Sequence, residues 1–215
     1  MEWEGRNIVI DTGPDFRYQM LRQRVTRLDA VLFTHSHKDH VAGLDDVRAF
    51  NRQQGAAIDI YGAKELHDAL QREFYYAFSA KRYPGVPMLN LHEITLTPFS
   101  LFGREVIPIE VMHYMMPVLG FRVGDFTYIT DAKTVDDAQI EKIYGSSILV
   151  VNALQREPHI SHFTLDEAIA FARRVGAEQT YFTHISHRLG LHDDVAAKLP
   201  PGIHLAYDGL QLSIA

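Results

Sequence analysis

Six consecutive residues, His35-Ser36-His37-Lys38-Asp39-His40, hold three imidazoles and a carboxylate. Imidazole nitrogens and carboxylate oxygens suit borderline divalent ions such as zinc, manganese or iron. The run follows the apolar stretch Ala30-Val31-Leu32-Phe33-Thr34, which reads as a buried strand. The ligand types therefore fall on the loop at that strand's C-terminal end. In an extended loop, residues two apart point the same way. His35 and His37 could grip one ion, while Asp39 and His40, opening the next helix, could grip a second. Three more ligand-type residues follow apolar runs: His113 after 106–111, Asp131 after 126–130 and His184 after 180–183.

Composition narrows the chemistry. The chain has 215 residues, 47% of them hydrophobic and 22% charged, enough for one domain with a sizeable core. We expect a single domain over 1–215. There is no cysteine, so a metal must be held by His, Asp and Glu, and a cytoplasmic setting is compatible. A formal net charge of −6 without a basic run argues against a large nucleic-acid footprint. No stretch approaches the length of a membrane span, and the first residues lack the pattern of a signal peptide.

The elements that must position these residues follow from periodicity. Residues 7–11 read as a short strand, with a helix after Asp15 as N-cap. The spacing of Val41, Leu44, Val47 and Phe50 predicts one helix over 40–53. A strand at 58–61 and a helix at 63–75 follow, then a Pro- and Gly-containing loop over 79–88. Strands are expected at 94–99, 106–111, 119–123 and 126–130, the last pair joined by a Gly124-Asp125 turn. Helices at 136–144 and 164–175 alternate with strands at 148–152, at 180–183 and near the C-terminus. This predicts a layered α/β domain.

The ordered set Thr34-His35-Ser36-His37-Lys38-Asp39-His40, His113, Thr130-Asp131 and Thr183-His184-Ile185-Ser186-His187 resembles the metallo-β-lactamase superfamily over nearly the whole chain. Ser161-His162 and Tyr207-Asp208-Gly209-Leu210 extend the likeness to its cyclic phosphodiesterase branch, the phosphoribosyl cyclic phosphate phosphodiesterases. The resemblance implies an α/β fold, an αββα four-layer sandwich. It also implies one metal on His35, His37 and His113, and a second on Asp39, His40 and His184, with Asp131 bridging. His162 and Asp39 are then the candidate catalytic residues. The branch commonly begins with a glycine-rich strand and a cysteine cluster. Neither is present, so we expect the first N-terminal strand of the fold to be missing and an exposed edge to favour a homodimer.

Two divalent ions, zinc or manganese, about 3.5–4 Å apart can share a bridging hydroxide and clamp a phosphodiester. His162 could protonate the leaving alkoxide as general acid. The expected activity is hydrolysis of a small cyclic or nucleotide-like phosphodiester. Thioester, lactone or β-lactam hydrolysis on the same site is the alternative, as is a metal-binding protein inactivated by N-terminal loss. Asp11 and Asp208 are candidate acceptors for ligand N–H groups. His187 could contact substrate or merely pack. The segment 74–83, aromatic then basic, could rim the site or serve as core and dimer contacts.

Overall fold

The computed structural model describes residues 1–214, which fall into two compact units, Met1–Thr95 and Leu96–Ala215. Among the described residues, no helix is long and apolar enough to cross a membrane.

The first unit holds a five-stranded sheet in sequence order, β1 (Glu2–Trp3), β2 (Arg6–Ile10), β3 (Ala30–Leu32), β4 (Ile58–Gly62) and β5 (Leu89–Glu93). β1 and β2 form an antiparallel hairpin, and the remaining pairs are parallel. β3 is buried at every position, as a central parallel strand requires. β4 alternates, with Ile58 and Ile60 turned to the core. Helices α1 (Phe16–Arg22), α2 (Lys38–Val41), α3 (Arg48–Gln54), α4 (Lys64–Glu73) and α5 (Tyr75–Phe78) complete the unit. Phe16, Phe33, Leu44, Phe50 and Leu70 pack in its core.

Two sequence expectations are corrected here. The helix expected over 40–53 is three pieces, α2, a 3-10 turn at Leu44–Val47, and α3. The interruption falls at Gly43, whose N–H donates to the Thr12 carbonyl. A Cβ there would lie 2.4 Å from the Gly13 carbonyl oxygen and 2.6 Å from Phe16 Cβ. Backbone approach to the 12–16 segment, not the apolar period, sets the path. The strand expected over 94–99 is instead β5 at Leu89–Glu93 followed by β6 at Phe99–Leu101. Ile94 donates to the carbonyl of Gly62, the last residue of β4, and Pro98, which has no N–H, lies between the two strands.

The second unit holds a seven-stranded sheet in the order β12-β11-β10-β9-β8-β7-β6. β6, β7 (Arg104–His113), β8 (Met116–Val123) and β9 (Phe126–Tyr128) form antiparallel pairs. β9, β10 (Ile148–Asn152), β11 (Gln179–Thr183) and β12 (Ile203–Leu205) run parallel. The crossovers carry α6 (Asp137–Ile143), α7 (Leu165–Val175) and α8 (His192–Ala196). Helix α7 starts with a capping box, in which Thr164 accepts from the Glu167 N–H and Glu167 accepts from the Thr164 N–H. Ile109, Val111, Leu149, Val151, Ala168 and Phe182 lie in this unit's core. The Gly124-Asp125 turn joins β8 to β9 as its sequence predicts.

Candidate functional site

In the first unit the histidine run leaves β3 and enters α2. Asp11, just past β2, organises it. Thr34 donates its N–H to Asp11 Oδ1 and its hydroxyl to Asp11 Oδ2, both at 2.8 Å. His40 Nδ1 lies 2.7 Å from the same Oδ2. The Thr34 hydroxyl has one proton and gives it to Asp11, so its oxygen accepts from His35 Nδ1 at 3.0 Å. These bonds fix both tautomers and make Nε2 the lone-pair nitrogen of His35 and His40, the state a metal ligand needs. The His35 ring lies 4.6 Å from that of His37 and 4.2 Å from that of His40, centroid to centroid. Asp39, largely exposed, places Oδ2 3.5 Å from His40 Nε2. Burial pushes the Asp11 carboxyl above its usual range, against the pull of the His40 and Thr34 hydrogen bonds. Asp11 adopts φ +58°, a region that aspartate tolerates better than most residues.

In the second unit four residues converge from four segments. His113 ends β7. Asp131 follows β9, His162 precedes α7, and His184 follows β11. His113 Nδ1 lies 3.1 Å from the Asp131 carbonyl oxygen, again leaving Nε2 with the lone pair. Asp131 Oδ1 accepts from the Thr130 hydroxyl at 2.7 Å and lies 3.2 Å from His184 Nε2. The His162 ring lies 4.6 Å from that of His113 and 4.9 Å from that of His184. His113, Asp131 and His162 each offer one ligand atom, all within 4.8 Å of one another. His162 is buried, and its Nδ1 has no hydrogen-bond partner. The imidazole and carboxylate donors gathered beside it suit a divalent cation. Burial drives the His162 imidazole down to about 4, with Asp131 pulling upward against it.

The chain around these residues is held by backbone bonds that the sequence does not announce. The Asn152 side chain, fully buried at the end of β10, donates to the Ala132 carbonyl and accepts the Ala132 N–H, at 3.0 and 2.7 Å. Phe163 N–H donates to the same carbonyl, which ties His162 to the Asp131 turn. Ser186 N–H donates to Leu154 and brings the loop carrying His184 against the segment before His162.

Most of the sequence-derived site residues thus fall into two groups, His35, His37, Asp39 and His40 in one unit and His113, Asp131, His162 and His184 in the other. Of the two candidate acceptors, Asp11 meets His40 Nδ1, and Asp208 lies in the turn after β12. His187 is exposed on the loop after β11. The 74–83 segment divides. Phe74 and Ala77 are core, Tyr76 donates to Asp45, and Tyr75 and Tyr83 are exposed. Sequence reasoning missed the supporting roles of Thr34, Thr130 and Asn152. It also passed over His159, whose ring lies 5.0 Å from that of His162. The His159-x-x-His162 spacing was the available signal.

The fold and these residues place the chain in the beta-lactamase superfamily, whose domain model matches residues 6–185. Within it the chain belongs to the metallo-β-lactamase superfamily and its PhnP-like branch. It is similar to a crystal structure of a diphosphatase from the PhnP family, at 38% identity and a TM-score of 0.91, covering 98% of this chain and 80% of that one. It is 37% identical to an octanoyltransferase of Porphyromonas gingivalis over 98% of its own length, but spans only 43% of that protein. It is also 30% identical to a ribonuclease Z of Pyrobaculum calidifontis, covering 95% of this chain and 86% of the relative. The chain has the metallo-β-lactamase fold, which implies divalent metal ions.

Proposed function

We propose that this chain is a metal-dependent phosphodiesterase acting on a small cyclic or nucleotide-like phosphodiester in the cytoplasm. The observation that carries the reading is the fixed tautomer of His35, His40 and His113, each with Nδ1 committed to an oxygen. That arrangement prepares several imidazoles as ligands at once. We assign His35, His37 and His113 to one ion and Asp39, His40 and His184 to a second, with Asp131 ligating both. Zinc or manganese suits this set. Ions held by these residues would supply Lewis acidity and a positive field for an anionic ester.

The chain's own residues do the rest. Asp11 and Thr34 hold the first group of imidazoles in place. Thr130 and Asn152 hold Asp131 and the turn that carries it. His162 is the proton-handling residue. Near pH 7 its imidazole is neutral, and an arriving anionic ester raises its affinity for the proton that the leaving alkoxide requires. The names of the similar diphosphatase and ribonuclease Z, both acting at phosphorus, support the reading. The second reading is hydrolysis of a thioester, lactone or β-lactam on the same site, which the superfamily fold also accommodates.

Metal-loaded protein should be assayed with bis(p-nitrophenyl) phosphate, a cyclic nucleotide, an acyl thioester and nitrocefin. Turnover of the phosphodiesters is expected, and turnover of the thioester or nitrocefin alone would overturn the proposal. His162→Ala should retain its metal and slow esters with poor leaving groups by about 10²-fold or more. Unchanged kinetics would remove the proton-handling role.

A further inference from the structure

A cavity of about 1210 Å³ lies wholly within the first unit, between α1, α3 and the 82–88 segment. The segments carrying Val25, Gln53 and Met88 in its wall lead into the parallel strands β3, β4 and β5. The cavity therefore borders the N-terminal ends of those strands, whereas the His35–His40 loop leaves the C-terminal end of β3. Phe16 and Phe50 meet edge to face in its wall, with ring centroids 6.4 Å apart. The buried Asn51 side chain donates to the Ala56 and Met88 carbonyls and accepts the Met88 N–H. These three bonds hold the end of the 82–88 segment against α3, so the wall is fixed by the fold.

Charge at this cavity runs opposite to that of the chain, whose formal net charge is −6. Arg17, Arg48, Arg52 and Arg82 line it, against one carboxylate, Asp46. Arg48 pairs with Asp45 at 3.2 Å. The guanidinium groups of Arg17, Arg52 and Arg82 have no ion-pair or hydrogen-bond partner among the described residues. Such groups match the oxygens of a carboxylate or phosphate. A bare anion would leave the apolar wall uncovered, where Leu21, Tyr83 and Met88 are exposed. The volume exceeds the roughly 300–1,000 Å³ typical of sites for drug-sized molecules, so it accommodates a long apolar body. A twofold contact with a second copy would bring this basic patch against itself, and like charges there oppose association. The net charge opposes approach to an anionic bilayer.

We propose that this cavity is a second binding site, which takes a free amphiphilic anion with a carboxylate or phosphate head and a long alkyl body. The head meets Arg17, Arg52 and Arg82, and the body covers Phe16, Met20 and Phe50. Met20 adapts to the shape of an alkyl chain. The proposal is independent of the phosphodiesterase reading, because no residue of the histidine groups lines the cavity.

The test is calorimetric titration of metal-loaded protein with dodecanoate below its micelle concentration. Dodecyltrimethylammonium serves as the cationic match and acetate as the head without a body. Dodecanoate should bind at one site per chain, the cation at least about tenfold more weakly, and acetate not measurably. The double variant Arg52→Gln, Arg82→Gln should bind dodecanoate about threefold to thirtyfold more weakly. It should keep its thermal midpoint, since surface substitutions change stability little. Arg17→Gln should weaken binding in the same direction. Failure of dodecanoate to bind, equal affinity for the cation, or an unmoved Kd in both variants overturns the proposal. So does displacement of dodecanoate by bis(p-nitrophenyl) phosphate, which would seat the amphiphile at the histidines. Arginine-dependent sedimentation with phosphatidylglycerol vesicles but no binding of free dodecanoate would overturn it in favour of a lipid surface.

Discussion

Asp131 ties three neighbours together in the second unit. Its carbonyl meets His113, while its carboxylate meets Thr130 and His184. We expect Asp131→Ala to lose bound metal, measured by elemental analysis of protein purified without chelator. Retention of two ions per chain would refute the assignment of Asp131 to both. At this scale the sequence was informative where ligands are contiguous. The run at 35–40 places four ligand types on one loop, and strand-end position singled out His113, Asp131 and His184. It was silent about Asn152, because its partner is a backbone amide twenty residues away. Nothing local distinguishes such an asparagine from one in an ordinary turn. The Thr34 hydroxyl was equally hidden, since its role depends on Asp11 arriving from another strand.

Elements follow the apolar pattern until two backbones must touch. Helix α7 matches its expected span because capping box, apolar face and following Gly176 all agree. The 40–53 region does not, because its apolar period continues straight through Gly43, where contact with 12–16 leaves no room for a Cβ. Gly43→Ala should therefore destabilise the protein by about 1–3 kcal/mol, read from urea unfolding. A change within a few tenths would show that the segments separate freely.

Helix α4 carries a second testable feature. His67 is buried there, its Nε2 has no hydrogen-bond partner, and burial holds its pKa below the ordinary value. The unfolded chain then takes up the proton more readily than the folded one. The stabilising preference for neutral imidazole is complete above about pH 6.5 and is lost as pH falls through that value toward the lower folded pKa. His67→Leu should flatten the decline in stability between about pH 7 and pH 5. An unaltered slope would place the acid sensitivity elsewhere.

At the scale of the molecule, the chain order of strands was legible but their sheet membership was not. Periodicity identifies a strand, whereas pairing depends on partners distant in sequence. The expected strand at 94–99 shows the difficulty, because it ran across the boundary at Thr95 between the two units. Bound ions should stabilise the whole. A ligand at about 100 times its Kd adds about 2.7 kcal/mol through mass action. Chelated protein should melt at a lower temperature, and zinc or manganese should restore the midpoint. Equal midpoints with and without chelator would argue against resident ions.

The five-stranded sheet has a consequence for biosynthesis. Every one of its strand pairings lies within Met1–Thr95, including those that flank the His35–His40 loop. At ribosomal speeds of about 5–20 residues per second, residues 96–215 take roughly 6–24 s more to make. Sheet pairing in a unit of this size can finish within that interval. The nascent chain then displays a formed cluster of imidazoles, oriented by Asp11, before Asp131 and His184 have been translated. Chain order thus lets the first histidine group take shape before the second exists.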